Sequence, residues 1–209
     1  MLIYMKHITF IRHGETEYNL LHKFQGGIDV PLNGAGVKQA NMMKIENTFD
    51  AAYHSGLHRS EKTLEILLHN IVFNKPSKQS DLLKERRYGI FEGLTHDEVS
   101  LKYTTTYNSW KIDSNTNIPG GESEEDVLSR IKSFLRLVSN SEDANLVVVT
   151  HSGFMQILYK FLFDIKTNVG DYLHIDNCEF YKLNYNITGD VIEFQFIHKL
   201  HNIEDVRLM

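Results

Sequence analysis

The sequence predicts an α/β protein: a three-layer α/β/α sandwich around a mostly parallel central sheet, with a small inserted lid. Three observations carry this. Residues 6–11 and 146–149 are apolar, β-branched runs of the kind found in strands buried on both faces. Segments with helical periodicity alternate with strand-like ones, most clearly over 122–138, where Val127, Ile131, Phe134, Leu135 and Val138 recur three or four apart. Both apolar runs also lead straight into a polar segment containing a histidine and a nearby glycine, Arg12-His13-Gly14 and Thr150-His151-Ser152-Gly153. In an open α/β sheet, ligands sit outside the carboxyl ends of the strands, where these segments fall.

Composition sets the bounds. A chain of 209 residues with 42% hydrophobic residues can bury a sizeable core as one domain over 1–209, with the lid at about 94–121. A net charge of −5 argues against nucleic acid or an anionic membrane as partner, though not against a small anionic substrate. Cys178 is the only cysteine, so neither an intrachain disulfide nor a multi-cysteine metal site can form. The first residues lack the features of a secretory leader, and Lys160 and Asp164 interrupt the longest apolar stretch well short of the ~20 residues that span a bilayer. The expectation is a cytoplasmic protein.

Taken in order, the opening strand gives way to a loop over 18–31, marked by Gly26-Gly27 and Pro31. Asn33 is placed to cap a helix starting near Gly34, with Val37, Ala40 and Met43 inward. A short strand over 49–54 precedes a helix over 55–69 with Leu57, Leu64, Leu67 and Leu68 inward. Residues 84–89, Lys-Glu-Arg-Arg-Tyr-Gly, read as a charged strand end or loop, and Thr95-His96-Asp97-Glu98 as a helix start. The polar stretch 103–118 has Trp110 as its only large anchor, and Pro119-Gly120-Gly121 ends it. A helix over 154–163 follows the second histidine segment, and strands over 180–184 and 191–198 close the chain around a turn at 186–190.

If the two histidine-bearing strands are parallel neighbours, both imidazoles project from one sheet edge, close to Arg59 at a helix start and to Glu85. Two His, two Arg and one Glu suit a phosphoryl group. Arginine matches phosphate oxygens with a planar fork of donors, and helix N-termini add oriented N–H groups. A neutral imidazole is a competent nucleophile near neutral pH, and a carboxylic acid can protonate a departing alkoxide. Positioning and charge neutralisation, which phosphoryl transfer chiefly needs, are supplied here without a metal or other cofactor.

These residues resemble the histidine phosphatase superfamily, in its phosphoglycerate-mutase-like form, over essentially the whole chain. The resemblance is carried by Arg12-His13-Gly14-Glu15-Thr16 with Asn19 and by Phe24-Gln25-Gly26-Gly27. It continues in Ser55-Gly56-Leu57-His58-Arg59, Glu85-Arg86-Arg87-Tyr88-Gly89, Gly120-Gly121-Glu122-Ser123 and Val149-Thr150-His151-Ser152-Gly153. It implies that His13 is the nucleophile and Glu85 the acid, then base. It also implies that Arg12, Arg59 and His151 hold the phosphoryl group, and that Asn19, Gln25, Gly26 and Ser152 contact phosphate or substrate. A small phosphorylated metabolite is the implied ligand, and a homodimer is one of the assemblies left open.

Departures from the family pattern bear on the reaction. Mutases usually follow the second histidine with Gly-Asn, where this chain has Ser152-Gly153, and they carry a longer basic insertion. Here 104–119 holds Lys111 as its only cation. Hydrolysis of phosphomonoesters is therefore the favoured reaction, with phosphoglycerate mutase or a catalytically idle phospho-ligand module as alternatives. Several residues keep a plainer reading. Glu92 competes with Glu85 for the acid role, and His54 and His58 lack a third metal ligand. Cys178 reads as a small core residue, His198 and His201 as part of a solvated tail. Tyr107 and Trp110 either stack on substrate or pin the lid.

Overall fold

The computed structural model describes residues 5–45, 48–71, 73, 75–166, 173–188 and 191–198. Strands β1 (Lys6–Arg12), β2 (Ala51–His54), β3 (Lys78–Gln79), β4 (Asn145–Thr150), β5 (Phe180–Thr188) and β6 (Val191–His198) form one sheet in the order β3-β2-β4-β1-β5-β6. β1, β2, β3 and β4 run parallel, and β5 and β6 add antiparallel at one side. The sandwich with a mostly parallel sheet is thus observed.

Alternation along the central strands feeds two cores. Ile8 and Phe10 of β1, with Leu146 and Val148 of β4, face α6 (Glu124–Ser139) and α7 (Ser152–Leu162). Ile11, Val147 and Val149 point the other way, onto Leu64 and Leu67 of α3 (His58–His69). Against α3 packs α2 (Gly34–Met42), capped by the Asn33 side chain, which accepts the Gly36 N–H. The chain therefore leaves β1 toward one face of the sheet and leaves β4 toward the other. These two strands are neighbours, so a crevice opens between their carboxyl ends.

The α6 helix buries the five apolar residues that its periodicity predicts. A capping box at Ser123 and Asp126 starts it, and Lys6, buried at the foot of β1, donates to the carbonyls of Ser141 and Asp143 just beyond its end (2.6 and 2.8 Å). The lid contains α4 (His96–Lys102), begun by a Thr95–Glu98 capping box, and α5 (Thr104–Ile112).

Several local expectations are corrected. A Thr16–Asn19 capping box folds the start of the expected loop into a single helical turn, α1 (Glu17–Leu20). Val37 is exposed, and Gly36 and Ala40 are the buried residues of α2, because a Cβ at position 36 would lie 2.2 Å from the Glu15 carbonyl. Leu57 is the buried N-cap of α3 and not part of it. Trp110 is not the lone anchor of the lid: Phe24, Phe91, Val99, Tyr107 and Ile118 form a third core cluster with it. The closing turn is shorter than the expected 186–190, because residues 186–188 extend β5 in antiparallel pairing with β6, and His198 ends β6 opposite Tyr181 and is not in a tail; residues 189, 190 and His201 lie outside the described residues.

Phe134 is fully buried, with ring centroids 6.4 Å from Phe10 and 5.5 Å from Tyr53. Phe134→Ala should lower the unfolding free energy by about 3–5 kcal/mol in urea titrations. A loss under about 1 kcal/mol would mean that α6 does not anchor this face.

Candidate active site

The register of β1 and β4 pairs Arg12 with Thr150, so the next residue on each strand is a histidine. The His13 N–H donates to the Thr150 carbonyl (3.0 Å), and the two imidazoles lie 5.1 Å apart between ring centroids. Gly14 follows because the chain must pass close to α2: a Cβ there would stand 2.6 Å from the Gly36 carbonyl.

Hydrogen bonding fixes both tautomers. His13 Nδ1 lies 2.7 Å from the Gly14 carbonyl oxygen, which can only accept, so Nδ1 carries the proton and Nε2 keeps its lone pair. His151 is arranged the opposite way. Arg59 Nε donates to its Nδ1 (3.3 Å), so Nε2 holds the proton and donates to Ser55 Oγ (2.8 Å). Ser55 passes its own proton toward Ser60 Oγ (2.7 Å), which donates to the Leu57 carbonyl (2.9 Å). Burial, then the positive field of Arg59, holds both imidazoles well below the usual histidine value. Both are neutral at pH 7.

Arg59, on the first turn of α3, has no exposed surface. Its Nη1 and Nη2 donate to the carbonyls of Ile28 and Gly26 (2.7 and 2.9 Å), and Gly26 turns the loop with φ +50°. Arg12 donates through Nη1 to the Ile175 carbonyl, while its buried Nε has no partner among the described residues. Burial pulls both guanidiniums below their usual value, and Glu85 opposes it. Glu85 is buried at the N-terminus of α7, accepting N–H groups from Arg86 (2.8 Å), Phe154 (3.1 Å) and Gly153 (3.2 Å).

One cavity of about 540 Å³ brings Arg12, His13, Arg59 and Glu85 together with Asn19, Gln25, Gly26 and Ser152. His151 stands immediately behind, in contact with Arg59 and the His13 ring. Asn19 spends its Oδ1 on the Thr16 backbone and hydroxyl (both 3.1 Å). Gln25 is buried, and its Oε1 has no partner among the described residues. Glu92 is not a cavity residue: its Oε1 takes the N–H groups of Gly27 and Tyr88 and ties two loops together. His54 is buried with Nδ1 accepting the Gly56 N–H, whereas His58 is exposed. Among the described residues no three His, Cys, Asp or Glu side chains are grouped as metal ligands.

Sequence reasoning missed several parts. Ser55 lies in the same short segment as Arg59 and could have been flagged by its place at the end of β2. Asn177 had no such signal. Its side chain donates to the His13 carbonyl (2.9 Å) and to Asn19 Oδ1 (3.3 Å) across 158 or more residues of chain. Cys178 is not a core residue but part of that turn, with φ +61° and its N–H on the Arg12 carbonyl (3.0 Å); burial pushes its thiol up to about 12. Trp110 packs on Phe24, Tyr88, Phe91 and Tyr107, which pins the lid, and Trp110 and Tyr107 also line the cavity. Cations in the outer cavity are not confined to Lys111: Lys23, Arg86 and Lys160 also line it, the last paired with Glu124 at 2.5 Å.

A family model for the histidine phosphatase superfamily (branch 1) matches residues 8–196. A 2,3-bisphosphoglycerate-dependent phosphoglycerate mutase of Cytophaga hutchinsonii is 31% identical over 176 residues, covering 81% of this chain and 82% of its own. Phosphoglycerate mutase-like protein 4 of Arabidopsis thaliana is 32% identical over 160 residues, covering 73% and 69%. Among solved structures, the alpha-ribazole phosphatase of Shigella flexneri superposes with a TM-score of 0.77 at 22% identity, over 95% of this chain and 100% of its own. A mycobacterial glucosyl-3-phosphoglycerate phosphatase does so with 0.74 at 23%, over 92% and 98%. At such identities the superpositions establish the fold.

The neutral histidines have a measurable consequence. The unfolded chain takes up protons on His13 and His151 as pH falls through about 6.5, and the folded chain does not. Stability is therefore full above that value and lost below it, and His54, also lowered by burial, acts in the same direction. The urea midpoint should drop between about pH 7.5 and 5.5, and should drop less in a His13→Ala/His151→Ala protein. An equal drop in both would show that these rings are not buried in neutral form.

Proposed function

The chain belongs to the histidine phosphatase superfamily, branch 1, and on that premise we propose that it is a phosphomonoesterase working through a phosphohistidine at His13, without a metal. One observation carries the reading. His13 is a buried, neutral imidazole with Nε2 free, in one cavity with two guanidiniums and a carboxylate.

In the first step His13 Nε2 attacks phosphorus and the bond to the ester oxygen breaks. Glu85, in its acid form, protonates the departing alkoxide. Positive charge that appears on the phosphorylated imidazole is met by the Gly14 carbonyl at Nδ1–H. In the second step Glu85, now a carboxylate, takes a proton from water as its oxygen attacks phosphorus. The P–N bond breaks, inorganic phosphate leaves, and His13 is neutral again. Arg12 and Arg59 hold the equatorial oxygens in both steps, and Asn19, Gln25, Gly26 and Ser152 complete the cradle; His151, expected to share in this, has both ring nitrogens taken by Arg59 and Ser55 and acts by backing Arg59 from behind the cavity. Arg12 Nε and Gln25, buried and incompletely bonded, are suited to a ligand that supplies what they lack. The substrate is a small phosphorylated metabolite, met by a single domain over 1–209 in the cytoplasm. No helix among the described residues is long and apolar enough to cross a membrane.

Transfer between hydroxyls of phosphoglycerate is the second reading. Mutases stand among the relatives above 30% identity, and Lys23, Arg86 and Lys111 supply cations outside the phosphoryl pocket. It requires a bisphosphate to prime His13.

Phosphate release from a panel of monoesters in the presence of a chelator separates these readings. Release that survives the chelator and falls at least about 1000-fold in His13→Ala supports the phosphatase. Interconversion of 3-phosphoglycerate only with a bisphosphate primer, and no release, would establish the mutase. Glu85→Gln should slow alkyl esters at least about 10-fold more than 4-nitrophenyl phosphate, whose phenolate leaves without a proton. Equal losses on both esters would remove Glu85 from the acid role.

A further inference from the structure

Glu85 reaches the cavity because two features of the fold deliver it there. Leu83, fully buried two residues earlier, has its carbonyl bonded by the Thr150 hydroxyl at the end of β4 (2.8 Å). Beyond it, the carboxylate lands on the first turn of α7, with Oε2 on the Gly153 N–H and Oε1 on the Phe154 N–H. Gly153 is the second residue of α7 and lies among ordinary helical residues, not in the left-handed region. Backbone conformation therefore gives no reason for a glycine, which is the poorest helix former after proline.

Space gives the reason. A Cβ at position 153 would lie 2.7 Å from Glu85 Oε1 and 2.9 Å from the Tyr88 hydroxyl. Both are far inside van der Waals contact, and both atoms are the ends of side chains. A methyl group here would press on the Tyr88 hydroxyl and still more closely on the carboxylate, which could not stay where it is. We propose that Gly153 is the positioning residue of Glu85: the missing side chain admits the carboxylate to the N–H groups of α7 and sets its place in the cavity. This rests on the assignment of Glu85 as acid and base above.

Gly153 thus acts on the reaction through Glu85, the side chain it meets most closely, with the Tyr88 hydroxyl as its other neighbour. None of the three atoms nearest that methyl group belongs to β1, α3 or the 24–28 loop, from which the phosphoryl cradle is built. A substitution should therefore impair the proton-dependent part of the reaction and spare the rest.

The test is a cycle of four proteins, the native chain, Gly153→Ala, Glu85→Ala and the double variant, assayed for kcat/KM on an alkyl phosphate and on 4-nitrophenyl phosphate. Gly153→Ala should cost at least about 10-fold on the alkyl ester and under about 3-fold on the nitrophenyl ester. In the Glu85→Ala background, where the space is vacated, the same methyl group should cost under about 2-fold on either. Its far-UV circular dichroism and thermal midpoint should match the native chain. Equal losses on the two esters, or the same loss in both backgrounds, would overturn the positioning role, as would a Gly153→Ala protein that does not fold. A native chain that releases phosphate from neither ester would instead overturn the functional reading beneath it.

Discussion

Much of this structure follows from burying the charge of Arg59 while leaving it able to hold an anion. A fully buried guanidinium is costly unless its donors are met. Its hydrogen bonds run to two loop carbonyls and one imidazole nitrogen, and not to a carboxylate. A carboxylate would neutralise the charge that an incoming phosphoryl group needs. Carbonyls satisfy the donors and leave the charge in place. The turn at Gly26, the course of the 24–28 loop and the orientation of the His151 ring follow from that requirement.

The same requirement reaches the chemistry through the tautomers. Because Arg59 Nε occupies His151 Nδ1, that ring must donate from Nε2, and the Ser55–Ser60–Leu57 chain is there to accept. His13 is held in the opposite tautomer by a carbonyl of its own segment. Two adjacent histidines in one electrostatic field are thus given different hydrogen-bonding faces. One keeps a free lone pair, and the other is fixed as part of the wall. Burial first, and the positive field of Arg59 second, keep both rings neutral.

The lid is joined to the body by rings and by a few backbone bonds. Phe24 belongs to the body loop that carries Gln25 and Gly26, yet it packs in the cluster formed by Phe91, Tyr107 and Trp110. The Phe24 N–H donates to the Leu94 carbonyl (3.0 Å), and the Gly93 N–H returns to the Phe24 carbonyl (2.8 Å). Movement of the lid would therefore be felt in the loop that brings Gln25 and Gly26 to the cavity. Glu92 belongs to this joint, which explains why a carboxylate so close to Glu85 in sequence takes no part in the cavity.

Local sequence by itself determined the two strand–histidine segments, the five inward residues of α6, the Asn33 and Thr95 caps, and the short list of groups able to hold a phosphoryl ester. Each depends on neighbours within a few residues, where periodicity, capping and side-chain chemistry act. Tertiary structure alone decided that β1 and β4 are neighbours in a register that sets His13 beside His151. It put Glu85 in the cavity and Glu92 between two loops, brought Asn177 to the His13 carbonyl, and drew cations to the outer cavity from outside the 104–119 insertion. Those outcomes depend on contacts between residues tens to more than a hundred positions apart, and on space as small as one methyl group beside Gly153. A sequence specifies such contacts only through the packing of the whole chain.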